Sequence, residues 1–389
     1  MPVNYRQIED RLTSYTQKAK LYQSDLDAME ETLWKQFTDP AWDLDVIREK
    51  INQAEMQARN LYCAKPTNEA LLTHKPASPV SGSYTLIAAD GSQIAPNRHR
   101  ALQFCVINVG LIKARLGSGE APEINILSEL LDHDQLFTAD GSLIGEDVVA
   151  LVRDLAERQA LLDFAPENPQ PTITLTDGPL DVYQSMRSVE RREDLQDRVK
   201  EIHKHLEARQ VISSGYIDKP GSEMISRMFS VVQAPSDALD KYDDKQRAIR
   251  GISDARLLGH LLQAPGERSA IFEAVTKSEG SSGLKIHFFY LNVGMERKEK
   301  PYLARVEFPA WVSQDPEKID LLHGAIYKDV QVLDTHPYPY LLHRAHELAV
   351  ISFQEHDHVE EMLLQQFAQE GLSPGLRSNK EANKNLLRK

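Results

Sequence analysis

From Ile8 onward the apolar residues Ile8, Leu12, Tyr15, Ala19, Tyr22, Leu26, Met29 and Leu33 return at alternating steps of four and three. That spacing is the seam of a long amphipathic helix. Such a seam serves either an arm packed on its own core or a coil that pairs with a partner, and the pattern alone favours neither. A second helix is predicted over 43–61, with Val46, Ile47, Ile51, Ala54, Ala58 and Leu61 along one side. Residues 64–83, AKPTNEALLTHKPASPVSGS, are rich in Pro, Ser and Thr and predict a linker between this helical arm (1–63) and a main domain.

The pattern then changes period. SYTLIAADGSQIA, ALQFCVINVGLIKARLG and PEINILSELL are three β-rich runs parted by short breaks, which predicts an antiparallel meander followed by a helix over 146–164. PTITLTDGPL reads as a buried strand, 190–209 as a charged helix and VISSGYID as a further strand. Three strands in succession followed by two strands alternating with helices is the order of a ribonuclease-H-like mixed sheet. The expected fold class is therefore α/β, with the sheet flanked by helices and preceded by a helical arm. Beyond it SDARLLGHLL reads as a helix, RSAIFEAV, LKIHFFYLNVG and YLARVEFPAWV as strands, and PEKIDLLHGAIYKDVQVL as another helix. Helices over 340–353 and 358–369 close the chain, so 354–389 is expected to be a helix and a basic tail carrying Arg377, Lys380, Lys384, Arg388 and Lys389.

Composition narrows the chemistry. With 58 acidic against 45 basic residues the formal charge is −13, so any contact with a phosphate polymer has to come from a local cationic strip or from metal ions held by carboxylates. The two cysteines, Cys63 and Cys105, fit a reduced compartment without a disulfide framework. No apolar run is long enough to span a bilayer, and a cytoplasmic protein is expected. There is no GxxxxGK[ST] loop, no GxGxxG after a strand and no GxSxG elbow, so a nucleotide-driven motor and a serine hydrolase fit poorly.

Two Asp-Gly pairs stand at the ends of apolar runs, Asp90 in IAADGSQ and Asp177 in TLTDGPL. A carboxylate there, followed by a glycine that lets the backbone turn, faces a cleft and can share a hard cation. Either pair alone is a common turn; two together point to a site. An all-oxygen shell suits Mg²⁺ or Mn²⁺, and the close histidine pairs His203/His205, His343/His346 and His356/His358 lack the spacing and cysteines of a zinc centre.

The stretches IAADGSQIAPNRH, LVRDLAERQALLDF, TLTDGPL, SSGYIDKPGS, SDARLLGHLLQAPGERSAIF and HPYPYLLHRAHELAVIS, in that order, resemble the NurA nuclease family across 84–353. The resemblance implies a nuclease domain with a ribonuclease-H-like core, a homodimer, and Mn²⁺- or Mg²⁺-dependent cleavage of DNA ends and single-stranded DNA. It also implies partnership with a HerA-type hexameric ATPase in end resection and double-strand break repair. Carried over residue by residue, it assigns catalytic roles to Asp90, Glu157, Asp177, Tyr216, Asp254 and His346, with Asp90, Asp177, Asp254 and His346 as metal ligands. Glu146 shares the predicted helix with Glu157, His336 shares the last stretch with His346, and Asp254 follows Ser253 where a helix start favours an acid in any case. Two rival readings are a non-catalytic dimeric adaptor that docks a ring ATPase through its helices, and a metal-dependent phosphoesterase acting on nucleotides.

Overall fold

The predicted elements form largely where the apolar period places them. The computed structural model describes residues 3–138, 140–168, 170–181, 192–277, 283–294, 301–333, 336–373 and 375. In chain order these hold α1 (Tyr5–Phe37), α2 (Leu44–Gln57), β1 (Leu61–Pro66), β2 (His74–Lys75), β3 (Tyr84–Ile94), β4 (Val106–Leu116), β5 (Glu123–Leu130) and α3 (Glu146–Phe164). There follow β6 (Thr172–Asp177), α4 (Arg192–Ala208), β7 (Ile212–Ile217), α5 (Met224–Gln233), α6 (Asp254–Leu258), β8 (Arg268–Ser269), β9 (Phe272–Lys277) and β10 (Ile286–Asn292). The last are β11 (Leu303–Pro309), α7 (Pro316–Val330), α8 (Tyr340–Ala349) and α9 (Phe353–Gln369). Among the described residues no helix is long and apolar enough to cross a membrane.

The chain divides into two compact units. One comprises Ser78–Tyr216, Glu279–Leu284 and Glu307–Lys389. Its sheet has the order β7-β6-β3-β4-β5. The predicted meander is there: β3 pairs antiparallel with β4 from Tyr84↔Leu116 to Ile94↔Val106, and β4 pairs antiparallel with β5. Strand β6 then joins β3 in parallel, from Thr85↔Thr172 to Ala89↔Thr176, and β7 joins β6 in parallel, ending at Asp177↔Tyr216. Parallel neighbours need a crossover, which α3 and α4 supply. The result is the mixed ribonuclease-H-like order expected from the sequence. The first six residues of β3 are buried without alternation, as a central strand covered on both faces requires. Ile87 and Ala89 on one face pack with Leu111, Leu155, Leu161, Val199 and Leu206 beneath α3 and α4.

The other unit comprises Met1–Ala77, Ile217–Ser278 and Lys285–Val306. Its strands run β1-β9-β10-β11, with β2 and β8 added beside β10. Leu33 and Phe37 of α1 are buried in this core with Ile47, Ile51, Phe229 and Leu257. Arg256 ties α6 to Asp27 of α1 at 2.7 Å, and His260 Nε2 lies 2.7 Å from Glu30. The seam is satisfied only in its second half: Ile8, Leu12, Tyr15 and Tyr22 remain exposed while Leu26 and Leu33 are buried.

Several expectations change. The stretch 64–83 is not solely a linker, because Ala64–Pro66 complete β1, which pairs from Leu61↔Lys277 to Pro66↔Phe272. The partner strand lies some two hundred residues away, so no local period announces β1. The second helix stops at Gln57 instead of running to 61, and Leu61 and Cys63 are buried from the strand. Helix α5, with Ile225, Met228 and Phe229 buried, went unread in the sequence. The basic tail residues Arg377, Lys380, Lys384, Arg388 and Lys389 lie outside the described residues.

Candidate active site

Asp90 sits where β3 outlasts its parallel neighbour. The β3/β6 pairing ends at Ala89↔Thr176, so Asp90 and Asp177 occupy the next position on each strand, and Asp177 is in turn paired with Tyr216. Paired residues of neighbouring strands project from the same face, so these three form one row across the ends of β3, β6 and β7. The two Asp-Gly pairs are not equivalent, contrary to the sequence reading. At Asp177 the chain does turn: Gly178 has φ +100° and donates its N–H to Tyr216 O at 2.8 Å. At Asp90 the strand runs on to Ile94, with Gly91 opposite Val109. Gly91 is needed for space, since a Cβ there would come within 2.5 Å of Glu157 Oε1 and 2.7 Å of Arg153 Cγ.

Helix α8 covers the other face of β3 and β4 and brings His346 to Asp90, with Nδ1 2.6 Å from Oδ2. Three features fix this helix. Gly110, directly opposite Asp90 on β4, lets the α8 backbone approach so closely that a Cβ would meet Ala345 O and lie 2.7 Å from Ala349 N. The Ala349 carbonyl accepts hydrogen bonds from Ser92 Oγ and, at 2.8 Å, from Asn108 Nδ2. At the other end the buried carboxylate of Asp329 on α7 accepts the Leu341 N–H at 3.1 Å. Burial pushes Asp329 up to about 7, against the lowering pull of those backbone donors. His346 is therefore held from behind while its own side chain is 63% exposed. His336 is exposed, in the segment before the helix.

Glu157, on α3, is buried beneath Gly91 and close enough for the charge of Asp90 to act on it. Its carboxyl is pushed up to about 8, first by loss of solvent, then by the charges of Asp154 and Asp90, which Arg153 and Arg158 only partly offset. Oε1 lies 3.2 Å from Arg153 Nε but is not aligned to accept a hydrogen bond from it, and among the described residues it has no hydrogen-bond donor. A buried carboxylate oxygen without a donor, beside a second carboxylate, is an arrangement that a divalent cation relieves. Arg158 is used differently: it clasps Asp154 at 2.9 and 3.2 Å and donates to Pro179 O at 3.1 Å. Glu307 on β11 accepts the Leu180 N–H at 2.9 Å, so the loop after Asp177 is held from two sides. Neither Arg158 nor Glu307 was singled out in the sequence, because their partners become neighbours only in the fold.

The raised value has a consequence for stability. A carboxyl whose folded value exceeds its ordinary 4.5 binds its proton more tightly in the folded chain, so stability falls as pH rises from about 4.5 through about 8. Glu157→Gln should therefore raise the thermal midpoint of the metal-free protein at pH 9 by a few degrees, on the order of 1–2 kcal/mol, and change it little at pH 4. Melting curves in chelator at both pH values check this; a lower midpoint at pH 9 would contradict it.

The remaining candidates fall into place as follows. Tyr216 is fully buried and meets Tyr338 edge-on, with ring centroids 5.6 Å apart. Tyr338, in the segment leading into α8, is half-buried and was missed by the sequence reading. Asp254 belongs to the unit that contains α1, where its buried carboxylate accepts the Met224 and Ile225 N–H groups at 2.8 and 2.9 Å and the Tyr290 hydroxyl at 2.8 Å. It caps α5, and burial pushes it up to about 6. Burial pushes the Cys63 thiol up to about 12 and the Cys105 thiol up to about 11, as suits inert core residues.

Among the described residues, His356, Asp357 and Glu360 on α9 have ligand atoms within 4.8 Å of one another. Arg100 already supplies a cation to that group, paired with Glu360 and 3.4 Å from Asp357. A cation bound there would have to displace it.

A family model described as the NurA domain matches residues 84–351. The crystal structure of the NurA nuclease from Sulfolobus solfataricus is similar over 94% of this chain and 98% of that one, with a TM-score of 0.52 and 11% identity. Endonuclease V of Ciona intestinalis, solved with an inosine-containing 24mer DNA, gives a TM-score of 0.33 at 11% identity over 82% of this chain and all of that one. The catalytic domain of human Endonuclease V gives 0.32 at 15% identity over 81% and 95%. No curated protein matches.

Proposed function

Because the chain belongs to the NurA family, we propose that it is a divalent-metal-dependent nuclease acting on DNA ends and single strands, with its site at Asp90, Asp177, Glu157 and His346. The observation that carries the reading is Asp90 itself. It lies one position beyond the last β3/β6 pair, beside Asp177, with His346 2.6 Å away and the charge of the unsatisfied, buried Glu157 bearing on it. The donor set is mostly carboxylate oxygen, which suits Mn²⁺ or Mg²⁺. Once bound there, such an ion would polarise the scissile phosphate and acidify an attacking water.

The chain's own residues have the following parts. Asp90 and Asp177 supply negative charge in register, and Glu157, buried and without a hydrogen-bond donor on Oε1 among the described residues, would add a third carboxylate to such an ion. His346 turns one ring nitrogen to Asp90, which leaves the other to face solvent and accept a proton from water. Tyr338 is better placed than Tyr216 to orient the phosphate, because Tyr216 is sealed in the core. Asp254, whose oxygens are committed to the start of α5, is assigned a structural role in place of the ligand role expected from sequence.

The family reading extends to a homodimer and to a HerA-type ATPase that would feed DNA ends to the site during resection. The exposed seam Ile8, Leu12, Tyr15 and Tyr22 offers a docking surface for such a partner. The same seam favours the adaptor as the second reading.

End-labelled single- and double-stranded DNA, and a mononucleotide ester, should be incubated with the full chain in Mn²⁺, Mg²⁺ or chelator. DNA cleavage in metal alone is expected. Turnover of the ester without DNA cleavage would replace the reading with a nucleotide phosphoesterase. No turnover in any metal, with ATPase binding intact, would replace it with the adaptor.

A further inference from the structure

The acidic chain, 58 acids against 45 bases, has to meet a polyanion at a site that is itself built of carboxylates. A fixed cation at the mouth would ease that approach, and α3 supplies one. Arg153 stands one helical turn before Glu157, with its side chain 34% exposed. Its Nη1 donates to Gln93 Oε1 at 3.0 Å. Gln93 lies on the part of β3 that runs beyond the last pair with β6, on the same face as Gly91. The aliphatic stem of Arg153 rests where Gly91 lacks a Cβ. The guanidinium is thus anchored along one edge, and its buried Nε makes no hydrogen bond.

We infer that Arg153, held by Gln93, is a phosphate-contacting residue of the nuclease site, which grips a phosphodiester of the DNA strand next to the one that is cut. The inference rests on the nuclease reading above. Service as the counter-ion of Glu157 does not account for the residue, because the Arg153–Glu157 pair, 3.2 Å apart, is not aligned for a hydrogen bond, and the guanidinium is turned to Gln93 with part of its surface left to solvent. Arg158, by comparison, is 3% exposed and has its donors committed to Asp154 and Pro179, so it is closed to substrate. A planar fork with a partly exposed edge suits a phosphate bidentately, which a lysine ammonium does not reproduce.

The test uses the full chain and compares wild type with Arg153→Gln and Arg153→Lys. Two quantities are read: anisotropy of a labelled single-stranded oligonucleotide in Ca²⁺ at several salt concentrations, and Mn²⁺ binding by calorimetry without DNA. Arg153→Gln is expected to weaken DNA binding on the order of tenfold and to flatten the log–log salt dependence by about 0.7, the loss of one phosphate contact on a single strand. Arg153→Lys should restore the slope but only part of the affinity, and Mn²⁺ binding should stay within about twofold in both variants. Unchanged DNA affinity and slope with weakened Mn²⁺ binding would overturn the inference and leave Arg153 as a counter-ion. A wild-type chain that binds the oligonucleotide but cuts no DNA would sink the nuclease reading, while the salt slopes would still decide Arg153. No oligonucleotide binding by the wild type would overturn both.

Discussion

Asp90→Ala is expected to reduce metal-dependent DNA cleavage roughly 10³-fold or more, about 4 kcal/mol of transition-state stabilisation, while the protein stays folded. The size follows from how many parts meet at this one carboxylate. It occupies the row with Asp177, it is the partner of His346 Nδ1 at 2.6 Å, and its charge is one of those that raise Glu157. Removing it would together take away a proposed ligand, release the His346 ring and remove one of the charges that raise Glu157. The fold should tolerate the change, because Asp90 is half-buried and its loss relieves repulsion between carboxylates. Cleavage rates measured beside thermal midpoints separate the two effects. Wild-type activity in the variant would remove Asp90 from the site.

Gly110→Ala is expected to cost about 2–3 kcal/mol of stability and to lower cleavage on the order of 10²-fold in the protein that remains folded. The added methyl would strike Ala345 O and Ala349 N, which are backbone atoms of α8 and cannot swing aside. The helix must lift, and the Asn108 bond to Ala349 O and the His346 contact with Asp90 lift with it. At Gly91, by contrast, the atoms in the way belong to side chains, the Glu157 carboxyl and the Arg153 stem, so the crowding falls on those two residues and not on a helix backbone. Denaturant melts and cleavage rates of Gly110→Ala check the claim. A variant as stable and active as wild type would show that α8 is not held by this contact.

How much of this was legible depended on the reach of each signal. The meander and the β6-α4-β7 alternation were readable because period and turn residues are local, and α3 lies over the 146–164 predicted for it. Strand β1 and helix α5 escaped: β1 is short and joins a strand far along the chain, while no long apolar period marks the ten residues of α5. Asp90 and Asp177 were found as Asp-Gly pairs, but the shared reasoning held for only one of them. Gly178 makes a turn, whereas Gly91 makes room for Glu157. Asp254 was expected as a metal ligand from the resemblance alone, and its bonds to Met224 and Ile225 instead tie its carboxylate to the start of α5. The residues that hold the site in place, Gly110, Asn108, Asp329 and Glu307, carry no motif, since their work is a distance between elements.

Every functional expectation above requires that the carboxylates around Asp90 hold a divalent cation. Crystals grown in Mn²⁺, with anomalous scattering recorded at the manganese edge, test it most directly. The expected result is a peak between Asp90 and Asp177, within reach of Glu157 or His346, that disappears in Asp90→Ala. A peak only at His356, Asp357 and Glu360, with Arg100 displaced, would contradict it.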